Sequence, residues 1–202
     1  MQDQAAKSAR TRILEAAADL FYREGIRAVG VDAVIAHSGV AKMSLYRNFA
    51  GKDELVAAFL EHRDQLYWGW WDKVVACHPD DPRAQIRAIF KAVGKRTARP
   101  DYRGCPFINT AVEFPDSGHP GRVVALANKR ELRARLRALA ETVGARDPAM
   151  LADQLLLVLE GAYVSGQTIG AEGVGQRAAA AAADALVDAA CKASVDAACK
   201  AR

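Results

Sequence analysis

The chain has 202 residues, 51% of them hydrophobic and 26% charged, enough for one solid core or for a small domain joined to a larger one. Its 28 Lys+Arg against 24 Asp+Glu leave a net charge of +4, too small to identify a nucleic-acid partner by itself, so the distribution of charge must carry that question. No apolar run approaches the ~18 residues that cross a bilayer, and residues 1–12 lack the apolar centre of a secretory signal; no membrane partner is expected, and the chain reads as cytoplasmic and nucleoid-associated.

Taken in order, the segments predict an all-α fold, because period-2 alternation and Asn-Gly or Asp-Gly hairpin turns are nearly absent. Ile13, Ala17, Leu20 and Phe21 make one stripe of a helix over about 6–23, stopped by Gly25. Short helices over 31–37 and 42–48 are separated by Ser38-Gly39-Val40-Ala41. Lys52 opens a longer helix to about 75, with Leu55, Val56, Phe59, Leu60 and Tyr67 on its apolar side. Pro79, Pro82 and Pro100 bracket a helix over 82–97, and a short one follows over 106–114. After the Pro115–Pro120 loop come helices over about 122–143, 148–169 and 175–192. Residues 187–193, VDAACKA, recur as residues 195–201; two copies are too few for a solenoid, and the repeat reads as an extension of the last helix without an assignable role.

Cys77, Cys105, Cys191 and Cys199 form no CxxC pair, and the four histidines do not combine with them at zinc spacing. They read as free, mostly buried thiols, and no metal or cofactor is expected.

Residues 31–49, VDAVIAHSGVAKMSLYRNF, carry the clearest chemistry. Ala33, Val34, Ala36, Val40 and Leu45 supply small and branched side chains with which two short helices pack steeply across the Gly39 turn. That geometry sets the second helix in the major groove of DNA. Lys42 and Arg47 suit phosphates or guanine edges, Ser44 a phosphate or base, Met43 a thymine methyl and Tyr46 a phosphate. Lys52 adds a cation beside a helix N-terminus. Between Gly39 and Lys52 there are cations but no acid, although residues 1–62 hold eight Lys+Arg and eight Asp+Glu and are neutral as a whole.

The pieces ILEAAADLFYREG, GVAKMSLYRNF and GKDELV resemble the N-terminal domain of the tetracycline-repressor (TetR) family, over residues 10–60. The resemblance implies an all-α homodimer, with a three-helix helix-turn-helix DNA-binding domain over residues 1–54 and a C-terminal ligand-binding and dimerisation domain over 55–202. It also implies DNA contacts at Lys42, Met43, Ser44, Tyr46, Arg47 and Lys52. Gly30, Ala41 and Gly51 stand where members often carry Ser or Thr, so hydroxyl caps and phosphate contacts are absent there; the cap given up at Ala41 is worth roughly 1 kcal/mol.

The segment from Gly104 to Asn109, with Glu113, Phe114, His119 and Pro120, is similar to one subgroup of the family. The implied effector cavity finds apolar candidates in Trp68, Trp71 and Phe107, and polar ones in Asn109, Glu113 and His119. Arg83, Arg87, Lys91 and Lys95 form a basic stripe, read as solvent-facing. Leu155, Leu156, Val158, Leu159 and Ala162, with Gly161, Ser165 and Gly166 for close approach, and residues 178–183 with Leu186, suggest a four-helix interface between two copies.

The partners expected are therefore a double-stranded DNA operator, a small-molecule effector and a second copy of the chain. A repressor released by an apolar or aromatic effector fits these features; an architectural DNA binder without a ligand is the alternative. Nucleophile elbow, metal motif and phosphate loop are absent from the sequence, so an enzyme is not expected.

Overall fold

The computed structural model describes residues 7–191. Among these, nine α-helices follow one another without a strand: α1 (Ala9–Glu24), α2 (Val31–Ser38), α3 (Lys42–Asn48), α4 (Lys52–Ala76), α5 (Pro82–Thr97), α6 (Pro106–Glu113), α7 (Pro120–Thr142), α8 (Pro148–Thr168) and α9 (Val174–Cys191). A 3-10 turn at Gly170–Glu172, not anticipated from sequence, is bounded by glycines at φ 69° and 66°. The second copy of the VDAACKA repeat and the end of the first lie outside the described residues.

Local chemistry explains where the helices start. Ser8 Oγ accepts the Thr11 N–H at 3.1 Å. Asp81-Pro82 and Asp147-Pro148 use one device twice: the carboxylate accepts the N–H of Ala84 at 2.9 Å or Met150 at 3.0 Å, while proline fills the first helical position, where its missing N–H costs nothing. Gly30 and Ala41 make no side-chain cap.

The chain divides into two compact units. The first runs to Gly69 and includes Arg103–Lys129. Its core joins Ile13, Ala17 and Phe21 of α1, Val34 of α2, Leu45 of α3, and Leu55, Val56, Phe59 and Leu60 of α4, all buried. Phe21 meets Phe59 edge-on, with ring centroids 5.7 Å apart. Ala33 and Ala36, expected to pack, are exposed. An eight-residue helix buries one edge, and here that edge is Val34 and Ser38. The segment around α6 is fastened to α1: the Tyr22 hydroxyl accepts the Arg103 N–H at 3.0 Å and donates to the Gly104 carbonyl at 3.2 Å.

The second unit comprises Trp70–Tyr102 and the chain from Arg130 onward. Here α5, α8 and α9 pack together, burying Ile86, Ile89, Phe90, Val93, Leu151, Leu155, Leu159, Ala179, Ala183 and Val187. Glycines bring the backbones close. A Cβ on Gly94 would lie 2.7 Å from the Gly175 carbonyl, and one on Gly166 2.6 Å from Thr97 Cβ.

Three expectations need correction in detail. Leu155, Leu159, Ala162 and Gly166 face α5 and α9 of their own chain, while Leu157, Gly161 and Val164 form the outward stripe of α8. The stripe on α5 does not simply face solvent: Arg83 pairs with Asp188 and Arg87 with Asp184 of α9. Of the described cysteines, Cys105 is buried but Cys77 is exposed and Cys191 half-buried.

Candidate nucleic-acid interface

Helix α3 has only seven residues, and its orientation rests on Leu45, which is fully buried. Fixing Leu45 inward turns Lys42, Met43, Tyr46 and Arg47 outward together, since these positions lie three or four apart on one helical face. Met43 is 68% exposed and Tyr46 47%, high values for side chains of that size, so this face is available to a partner. Ser44 is half-buried; its hydroxyl accepts from Arg47 Nη2 at 3.2 Å, and its carbonyl accepts from Asn48 Nδ2 at 2.7 Å.

The turn before α3 is held from outside. Gly39 adopts φ 65° and its N–H closes on the Ile35 carbonyl, the left-handed C-cap that glycine enters without strain. Arg12 of α1 reaches over it, donating from Nη2 to the Ser38 carbonyl at 2.8 Å and the Gly39 carbonyl at 3.0 Å. Nothing in the periodicity of α1 marks Arg12 for this task. Arg10, two residues earlier, lies over the Phe49 ring at 5.0 Å.

Lys42 of this face and Lys52 of α4 also have partners within the fold. Lys42 Nζ sits 3.1 Å from Asp32 Oδ1, and this hydrogen bond with the carboxylate charge raises the pKa of the ammonium above its ordinary value. Lys52 Nζ donates to the Arg27 carbonyl at 3.4 Å. Burial lowers its pKa, against the charges of Glu113 and Asp53. Glu54 of α4 reaches back beyond Gly51, its carboxylate accepting the Ala50 N–H at 2.6 Å.

The effector candidates are spread over both units. Trp71 is buried and belongs to the second unit. In the first, Trp68 donates to Asp64 at 2.9 Å, and Asp64 also accepts from the buried Asn128 at 2.8 Å, a polar cluster that the sequence pattern does not reveal. Phe107 is buried, and Asn109 Nδ2 donates to the Arg103 carbonyl at 3.0 Å. Both oxygens of Glu113 accept backbone N–H groups, from Ile26 at 3.2 Å and Arg27 at 2.7 Å. The His119 ring stacks on Phe114 at 3.9 Å, and its Nδ1 accepts the Gly121 N–H. Its Nε2 is buried 3.4 Å from Asp53, within ion-pair distance but outside hydrogen-bond geometry.

A short solvent-facing helix set across a glycine turn from its bracing neighbour, on an all-helical frame, defines a helix-turn-helix DNA-binding regulator. Residues 13–59 match the family "Bacterial regulatory proteins, tetR family", and residues 82–182 match "Tetracyclin repressor-like, C-terminal domain". The chain belongs to the tetracycline-repressor family of transcriptional regulators. It is 26% identical to the HTH-type transcriptional regulator YjdC of Escherichia coli over 75% of this chain and 80% of that protein. A TetR-type regulator from Streptomyces avermitilis is 37% identical, with a TM-score of 0.79 over 91% of this chain and 98% of that one. A TetR-family regulator from Streptomyces coelicolor reaches a TM-score of 0.86 at 28% identity, over 91% and 96% of the two chains. Regulators of this family bind DNA and are not enzymes. Among the described residues no helix is long and apolar enough to cross a membrane.

Proposed function

We propose that this chain represses transcription as a cytoplasmic homodimer, each copy placing α3 in the major groove of a palindromic operator whose half-sites lie about 34–36 Å apart or a multiple of that. Residues 1–54 serve as the DNA-binding domain and 55–202 as the effector and dimerisation domain. The carrying observation is the outward face of α3, formed by Lys42, Met43, Tyr46 and Arg47; on this reading Met43 and Arg47, with the half-buried Ser44 beside them, read base edges, and Lys42, Tyr46 and Lys52 of α4 anchor phosphates. Repression, and not activation, is favoured by likeness to the HTH-type transcriptional repressor KstR2 of Mycobacterium tuberculosis, 32% identical over 42% of each chain.

Release follows when a small, largely apolar or aromatic effector binds better to a state whose two heads are wrongly spaced for the operator; its leverage is limited to that difference in affinity. Trp68, Trp71 and Phe107 are the proposed apolar contacts. Asn109, Glu113 and His119, the polar candidates, would each exchange or add to an interaction they already make.

The test uses the full chain and a duplex selected by it from a random-sequence pool. Tyr46→Phe and Lys52→Ala are expected to weaken binding with the dimer still folded, and Lys52→Ala to flatten the log–log salt dependence by about one unit. Unchanged affinity in both variants at matched salt overturns the reading. Failure of the pool to yield an enriched sequence supports the architectural alternative, and a thermal-shift screen of aromatic compounds tests the effector.

A further inference from the structure

We propose that Glu113 is a positioning residue for DNA recognition: from the end of α6 it fixes the α1–α2 loop and, through that loop, the Lys52 ammonium. The inference rests on the DNA-contact reading of Lys52. Glu113 is the last residue of α6, more than eighty positions beyond the loop it holds. Oε1 accepts the Ile26 N–H at 3.2 Å and Oε2 the Arg27 N–H at 2.7 Å, and Arg27 Nη1 returns to the Glu113 carbonyl at 3.3 Å. The contact is therefore reciprocal. Two loop N–H groups that follow the end of α1 find acceptors, and one of the last carbonyls of α6, which a helix leaves unpaired, finds a donor.

The loop has little other means of being fixed. Gly25 sits at φ 94°, with the Glu113 carboxylate 3.6 Å from where its Cβ would be, and Gly30 has no side chain with which to cap α2. Ile26 and Val29 are buried, so the loop is anchored by two apolar side chains and by this carboxylate. The same Arg27 that receives Glu113 offers its carbonyl to Lys52 Nζ at 3.4 Å. The path runs from α6 through one residue to a cation on the DNA-facing side.

A carboxylate suits this post and an amide does not. Glu113 presents two acceptors to two donors, whereas glutamine presents one acceptor and sets an NH2 donor against a backbone N–H.

The test measures affinity of the full chain for its selected duplex by fluorescence anisotropy, across salt, for wild type, Glu113→Gln, Lys52→Ala and the double variant. Glu113→Gln is expected to weaken binding about tenfold, as loss of one charged hydrogen bond and creation of a donor clash imply. With Lys52→Ala already in place, the further loss from Glu113→Gln is expected to shrink to about threefold or less, since part of its effect passes through Lys52. A purely structural role predicts the same loss in both backgrounds, and that result overturns the proposal, as does unchanged affinity for Glu113→Gln. If Glu113→Gln does not fold by circular dichroism, the comparison passes to Arg27→Ala, which removes the returning guanidinium and leaves the carboxylate; it too must lose less when Lys52 is absent. If Lys52→Ala and Tyr46→Phe leave affinity intact, it is the DNA-contact reading itself that fails.

Discussion

The Arg12 guanidinium of α1 lies 2.8 Å from the Ser38 carbonyl, so the last turn of α2 is closed by a side chain from a different helix. The bond is charge-assisted and part-buried, which places it among the stronger single hydrogen bonds of the head. Arg12→Ala is expected to cost about 1–2 kcal/mol of stability and to weaken DNA binding more than a surface arginine removed elsewhere, because the turn it secures sets the entry angle of α3. Urea unfolding and duplex titration of the same variant read the two effects; loss of stability without loss of affinity would show that the turn holds itself.

On the proposed reading, Asp32 competes with DNA for Lys42. The pair is exposed on both sides, so binding to a phosphate requires only exchange of one oxygen for another. Asp32→Asn is expected to raise affinity for any duplex about two- to fivefold at low salt, with the gain fading as screening rises. Anisotropy titrations between low and high salt check this, and a gain that persists at high salt would point to a cause other than charge.

The glycines of α8 separate internal packing from the outward stripe that the dimer reading assigns to a second copy. Gly166→Ala drives a Cβ into Thr97 and is expected to destabilise the fold by about 1–3 kcal/mol. Gly161 has nothing within 4 Å of its would-be Cβ, so Gly161→Ala is expected to stabilise the folded subunit by about 0.5–1 kcal/mol through helix propensity. It lies in the outward stripe with Leu157 and Val164, and sedimentation equilibrium is expected to show weakened self-association in the same variant.

Acidity reports on a pair in the second unit. Asp153 accepts two hydrogen bonds from Arg133, which hold its carboxyl below the usual carboxylate range. A carboxyl whose pKa is lower folded than unfolded adds stability above the unfolded value and loses it as pH falls through the folded one. The difference in thermal midpoint between wild type and Asp153→Asn is thus expected to be largest near neutrality and to close below about pH 4. A difference that is the same at pH 7 and pH 3 would mean that the pair's charge contributes nothing.

Much of this molecule is written locally. Asp81-Pro82, Asp147-Pro148, Gly25 and Gly39 announce helix ends by chemistry that acts within a turn, and the predicted helix ends that fall among the described residues recur within two residues, those near 6 and 192 lying outside them. The outward face of α3 was equally legible, since one buried leucine in a seven-residue helix determines what the others do. What escaped were relations between distant positions. Arg12 with Ser38, Glu113 with Ile26 and Arg27, and Asp64 with Asn128 join residues that no periodicity links. The inward turn of Gly166 was hidden for the same reason: a small residue in a helix announces a close neighbour without saying whose.

Segment 103–129 belongs to the compact unit that carries the DNA-binding helices, and this bears on how operator preference can be transplanted among relatives. A chimaera that carries over only residues up to Gly69 would set the Tyr22 hydroxyl and the Ile26 and Arg27 amides against a host segment never selected to receive them. The portable cassette is discontinuous, two stretches of chain that have to travel together.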